Sequence, residues 1–160
     1  MSQPPSRRRP RALTSIRRIA GLDYDVLDEL LGYALRRGQV AMFLAFHDAT
    51  RGVQMTPPRF TALVIIGANP GISQSTLGEV LGIARSGAML LTDWMVGRGL
   101  VERRHRPDDG RAWGLHLTRR GHQLTAKMKA AVLAEDRRRG DKLSAAERRE
   151  LLRLLEKLAG

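Results

Sequence analysis

Arginine offers most of the chemistry in this chain. The 160 residues hold 24 Arg and 4 Lys against 16 acids, a formal net charge of +12. The planar donor fork of arginine suits phosphate and guanine edges, so a polyanion is the partner this balance implies. Arg85, Ser86 and Met89 fall on one face of a predicted helix, near its start. From there an arginine takes a guanine edge bidentately, a serine meets a base or a phosphate, and a methionine touches a thymine methyl. Ser73, Gln74 and Ser75 open the preceding predicted helix, where hydroxyls and backbone N–H groups favour phosphate. Arg103, Arg104, Arg106 and Arg111 surround a predicted hairpin tip that also holds Asp109. An acid two positions before an arginine on such a tip directs the guanidinium or makes a hairpin salt bridge, and a narrow minor groove attracts arginine.

A second arginine pair has no obvious use. Around Arg36 and Arg37 the positions three and four residues away are Gly32, Tyr33, Ala34, Gln39, Val40 and Ala41, none of them acidic. Spacing puts Arg37 near the centre of an apolar stripe, where a charge needs an anion or a hydrogen-bonding partner. Tyr33, Arg36, Val40, Phe43 and His47 share a flank of the same helix. Two readings stand: an anionic ligand, or an acid from another copy of the chain.

Catalysis finds little support. There is no phosphate-binding Gly-rich loop, no nucleophile elbow and no paired-carboxylate constellation. His47, His105, His116 and His122 are scattered, and cysteine is absent, which excludes disulfides and thiol chemistry. We expect no enzyme activity, no cofactor and no metal. No apolar run reaches the ~18 residues of a membrane span, and no secretory core follows the basic N-terminus. The expectation is a cytoplasmic protein with no membrane partner.

The elements that position these residues follow from periodicity and punctuation. Residues 1–22 carry Arg7, Arg8, Arg9, Arg11, Arg17 and Arg18 with no acid, and Pro4, Pro5 and Pro10 oppose a helix. They read as a disordered basic arm, either a solvated tail or a DNA-capturing segment. Asp23 to about Thr50 reads as one long helix with its acids in the first turns. Thr56-Pro57-Pro58 starts a short buried helix, and Asn69-Pro70 lies in the turn after it. Ser73 caps a short helix broken by Gly82, and a second helix runs from about Ala84 to Arg98, ended by Gly99. Helix, tight turn, helix is the helix-turn-helix pattern. Two strands, 100–104 and 112–117, flank the charged tip. Thr118 caps a long helix, and Ser144-Ala145-Ala146-Glu147 is a capping box for a last one carrying Leu151, Leu152, Leu154, Leu155 and Leu158. The fold class expected is mainly α with a small β-hairpin wing: a winged helix-turn-helix plus a helical dimerisation domain.

In order and spacing, residues 23–160 resemble the MarR family of bacterial transcriptional regulators. The resemblance rests on Gly71-Ile72-Ser73-Gln74-Ser75-Thr76-Leu77-Gly78, Arg98-Gly99-Leu100-Val101-Glu102-Arg103, Asp108-Asp109-Gly110-Arg111 and Leu115-His116-Leu117-Thr118-Arg119-Arg120-Gly121. It implies a homodimer, with 23–54 and 119–160 as the dimerisation region and 55–118 as the winged helix-turn-helix. It also implies that Asp109 braces Arg111 in the minor groove, and that the ligand pocket lies between the first helix and the DNA-binding domain. Leu31-Gly32-Tyr33-Ala34-Leu35-Arg36-Arg37 is similar to a subset responsive to hydroxycinnamoyl-CoA thioesters. Arg36 and Arg37 would then hold the phosphates of an acyl-CoA or the carboxylate of an aromatic acid.

The chain departs from the family pattern at Ala84, Gly87, Leu90, Trp94 and Gly110, where polar or basic residues are commoner. Base readout by this helix is expected to be thinner, with DNA shape and the wing taking more of the specificity. The function expected is a sequence-specific dimeric regulator on a pseudo-palindromic operator, a repressor released by a small aromatic anion. The alternative is an architectural DNA-binding protein that needs no ligand.

Overall fold

In the computed structural model the described residues are 16–106 and 109–160, with the backbone alone for 106 and 109–112. The elements are α1 (Leu31–Ala49), α2 (Pro57–Ala68), α3 (Gln74–Val80), α4 (Arg85–Gly97), β1 (Val101–Arg106), β2 (Asp109–Leu117), α5 (Arg119–Gly140) and α6 (Ala145–Ala159). This is the expected mainly helical fold with an antiparallel hairpin wing. The chain divides into two compact units after Leu44, inside α1.

The first unit corrects the expectation of one helix from Asp23. A 3-10 turn at Asp25–Asp28 comes first, and α1 begins at Leu31 with no acid in its first turn. The cause is local. The Asp23 carboxylate accepts the Asp25 N–H at 2.9 Å, and Asp25 takes a φ of +47°. Such an Asx turn offers the backbone an alternative to the helix.

The second unit holds the core. Leu63 and Ile66 of α2, Leu77 of α3 and Met95 of α4 are fully buried, joined by Leu100, Val101, Leu115 and Met128. Each large side chain so buried contributes about 1.5–3 kcal/mol of transfer free energy. Phe46, in the last turns of α1, meets Phe60 of α2 edge to face at 5.7 Å.

The wing is tied to the helices by backbone. β1 and β2 pair antiparallel from Val101↔Leu117 to His105↔Trp113, with a register shift beyond His105. Gly71 N–H donates to the Leu115 carbonyl and Leu115 N–H to the Ile72 carbonyl, both at 2.9 Å, so the entry to α3 acts as a third strand. Gly114 permits this approach, because a Cβ there would lie 2.8 Å from the Gly71 backbone. Thr118 fixes the exit: its hydroxyl donates to the Gly99 carbonyl at 2.6 Å and accepts the Gly121 N–H at 3.0 Å.

α6 is the least covered element. Its capping box is complete, with Ser144 N–H donating to the Glu147 carboxylate at 2.8 Å and Ser144 Oγ accepting the Glu147 N–H. Arg148 pairs with Asp136 of α5. Leu151, Leu154, Leu155 and Leu158, one stripe at helical spacing, are all exposed.

Candidate nucleic-acid interface

Ser73 caps α3 as expected, accepting the Thr76 N–H at 3.0 Å and lying 2.8 Å from the Thr76 hydroxyl. Ser75 is exposed and Gln74 half-buried. The turn to α4 passes through Gly82 at φ +61°. Gly78 lets the two helices close: a Cβ on it would stand 3.1 Å from the Ala88 methyl. Ala84, the residue before α4, offers no side-chain cap, so the first N–H groups of the helix receive no cap oxygen.

α4 has two unlike faces. Ala88, Thr92 and Met95 are buried, at i, i+4 and i+7. Arg85, Ser86, Met89 and Leu90 are exposed, Met89 at 48% and Leu90 at 68%. Met89 is therefore not a core residue of the second unit. Trp94 is absent from this face. The Arg59 guanidinium lies 3.8 Å and the Arg98 guanidinium 4.6 Å from its ring centre.

Two of the wing arginines are engaged. Arg103 reaches back to Asp93 of α4 at 2.6 Å. Arg104 pairs with Glu102 on its own strand. The rings of His105 and Trp113 lie 3.8 Å apart across the hairpin, with Trp113 half-exposed. The Asp93 clamp and both aromatic contacts escaped sequence reasoning, since no local spacing signals them. The side chains of Arg106, Asp109 and Arg111 lie outside the described residues, as does the arm through residue 15.

Within the first unit, Arg37 and Tyr33 come together. The Arg37 guanidinium lies 5.8 Å from the Tyr33 ring centre, and Tyr24 stands 6.3 Å from the same ring. Arg37 Nε is buried without a hydrogen-bond partner. No acid stands three or four positions from Arg37 on its helix, but one lies outside it. Asp28, in the 3-10 turn, feels the Arg37 charge, although its main partner is Arg18 at 2.6 Å. The hydrogen bond from Arg18 holds the Asp28 carboxyl below its ordinary range, and Arg37 adds to this. Val40 is buried; Arg36 and Phe43 are exposed; His47 is exposed beyond the unit boundary. Among the described residues, no cluster of three or more His, Asp or Glu could hold a metal ion. No helix among them is long and apolar enough to cross a membrane.

A putative transcriptional regulatory protein for the hcr operon of Thauera aromatica is 38% identical over 131 residues, spanning 80% of this chain and 78% of that protein. Residues 53–112 match the sequence model of the MarR family. The chain belongs to the MarR family. Among solved structures, the transcriptional repressor CouR bound to a 23-mer DNA duplex is 36% identical, with a TM-score of 0.81 over 87% of this chain and 99% of that one. CouR bound to p-coumaroyl-CoA is 35% identical, with a TM-score of 0.77 over 86% and 97%. This MarR-family chain is a sequence-specific DNA-binding transcriptional regulator.

Proposed function

We propose that the protein is a homodimeric repressor that an aromatic anion, an acyl-CoA thioester or its free acid, releases from a pseudo-palindromic operator. The observation that carries the ligand half is Arg37. A half-buried guanidinium beside the Tyr33 ring, with a buried Nε lacking a partner, is suited to an anion attached to a flat apolar body. Arg36, Val40 and Phe43, of the same unit, complete the candidate ligand flank. The complex of CouR with p-coumaroyl-CoA, in a relative of this similarity, supports the same class.

The exposed α6 stripe supports a dimer. Four leucines at helical spacing, 37–56% exposed among the described residues, are an apolar area that a second copy removes from water. Residues 23–54 and 119–160 form the dimerisation region, 55–118 the DNA-binding domain and 1–22 a basic arm. Arg85, Ser86 and Met89 read the major groove. Ser73, Gln74 and Ser75 meet phosphate. Arg106 and Arg111, with Asp109 bracing the latter, enter the minor groove. Arg103 and Arg104 flank the wing through guanidiniums already held by Asp93 and Glu102.

The test is fluorescence anisotropy on DNA from the region upstream of its own gene, at fixed salt, with p-coumaroyl-CoA or p-coumarate added. Release by either, lost in Arg36→Gln/Arg37→Gln, supports the proposal. Specific binding that neither compound disturbs removes the ligand half and leaves the regulator.

A further inference from the structure

The face of α4 turned away from the core is apolar at its centre. Ser86, Leu90, Asp93 and Gly97 follow at i, i+4, i+7 and i+11 and are all exposed, with Met89 beside them. Leu90 is 68% exposed, more than any other large apolar side chain among the described residues of the second unit. We propose that Leu90 is a specificity-determining residue that packs on the C5-methyl group of a thymine in the major groove, so that α4 reads methyl groups where its polar contacts are few. The proposal rests on α4 reading the major groove, as proposed above, and adds to it a residue and the group that this residue selects.

The base edges decide what an exposed leucine can meet. In the major groove guanine, adenine and cytosine present hydrogen-bonding groups, whereas thymine adds a methyl group to its one acceptor. A leucine over guanine, adenine or cytosine takes water from polar groups and returns no hydrogen bond. Over a thymine methyl, both partners lose apolar surface to water. Leu90 therefore favours one base and disfavours three, which is discrimination by penalty as well as by contact.

The charges around Leu90 permit the approach of a duplex. Asp93 is its neighbour at i+3, and a free carboxylate there would repel phosphate. Arg103 of β1 holds that carboxylate at 2.6 Å and offsets its charge. Arg85 precedes the leucine on the same helix and is exposed. An apolar side chain set between cations suits a groove with phosphates along both edges better than it suits an apolar protein partner.

The test begins with selection of a duplex site from random sequence by the full-length chain. Anisotropy at fixed salt then compares that site with duplexes carrying uracil in place of each thymine in turn, since uracil lacks only the methyl group. Burying one methyl-sized group is worth about 0.8 kcal/mol, so uracil at the contacted position should weaken binding by the parent about fourfold. Leu90→Ala, a change at an exposed position that favours the helix, should bind the thymine site more weakly by about fourfold or more and no longer distinguish uracil from thymine at that position. On an unselected duplex it should match the parent. A parent indifferent to uracil at every position, or a Leu90→Ala chain that keeps the parent's preference for thymine throughout, overturns the proposal. A selection that enriches no sequence removes sequence-specific reading and the proposal together. No ligand is added, so release by an aromatic anion stands or falls separately.

Discussion

Gly121 of α5 lies against the carbonyl oxygen of Leu100 so closely that a Cβ on it would stand 2.0 Å away. The contact joins the start of the wing to the first turn of α5, where Leu100 O also accepts the Thr118 N–H at 3.0 Å. Neither partner can yield cheaply, because the obstacle is backbone. Gly121→Ala should therefore cost about 3 kcal/mol or more, a large share of the 5–15 kcal/mol typical of a folded domain. Urea unfolding reads this directly. An alanine variant as stable as the parent would mean that the wing and α5 are not joined this way.

Arg85 tests base readout. It is exposed on α4 beside Ser86 and Met89, while the opposite face is core. Arg85→Ala should cost about 1–3 kcal/mol in operator binding and much less on random DNA. Equal losses on both would make Arg85 a phosphate contact.

The basic arm tests electrostatics. Arg18 is committed to Asp28 and to the Tyr24 ring, 4.4 Å from its guanidinium. Of the other arginines in residues 1–22, Arg7, Arg8, Arg9 and Arg11 precede residue 16. Deleting residues 1–15 should flatten the dependence of log K on log salt by about 0.9 for each arginine that meets phosphate. An unchanged slope would make the arm a bystander.

The α6 stripe tests the dimer. Leu151 and Leu155 are 45% and 37% exposed in the single chain, so a charge there costs a monomer little and a dimer much. Leu151→Glu/Leu155→Glu should sediment as a monomer and lose operator affinity. A dimer that survives the double change moves the interface elsewhere.

The capping box gives a pH dependence. The Ser144 hydroxyl, and then its backbone N–H, hold the Glu147 carboxyl below its ordinary range. A carboxyl with a lowered folded pKa stabilises above its unfolded value, and that contribution is lost as pH falls through the folded pKa. Helicity of α6 should hold at neutral pH and decline below about pH 4. Ser144→Ala should remove about 1 kcal/mol from the helix end and blunt the acid response. Circular dichroism against pH compares the two; identical acid profiles would remove Glu147 from the account.

What could be read from the sequence was local. Ser73, Thr118 and Ser144 cap the helices that their positions announce, because a cap needs only a side chain and an N–H three residues on. Gly99 occupies the left-handed position that the pattern assigned it, and Gly82, expected as a helix break, is left-handed as well. The first unit was misread because a run of acids before an apolar stripe looks like a helix start, whereas Asp23 and Asp25 fold into a turn. Long-range pairings were beyond reach. Nothing in the spacing links Asp28 to Arg37, Asp93 to Arg103, or Arg59 and Arg98 to Trp94. The residues meant for DNA were legible by type and spacing, yet the clamps that hold two of them were not.

The most direct measurement is the ratio of affinities, at one salt concentration, for a site selected from random-sequence DNA and for an unselected duplex of the same length. The account predicts a ratio of roughly a thousandfold or more, on a site with two-fold symmetry. A ratio near one, with affinity collapsing as salt rises, would contradict it and leave a protein that coats DNA by charge alone.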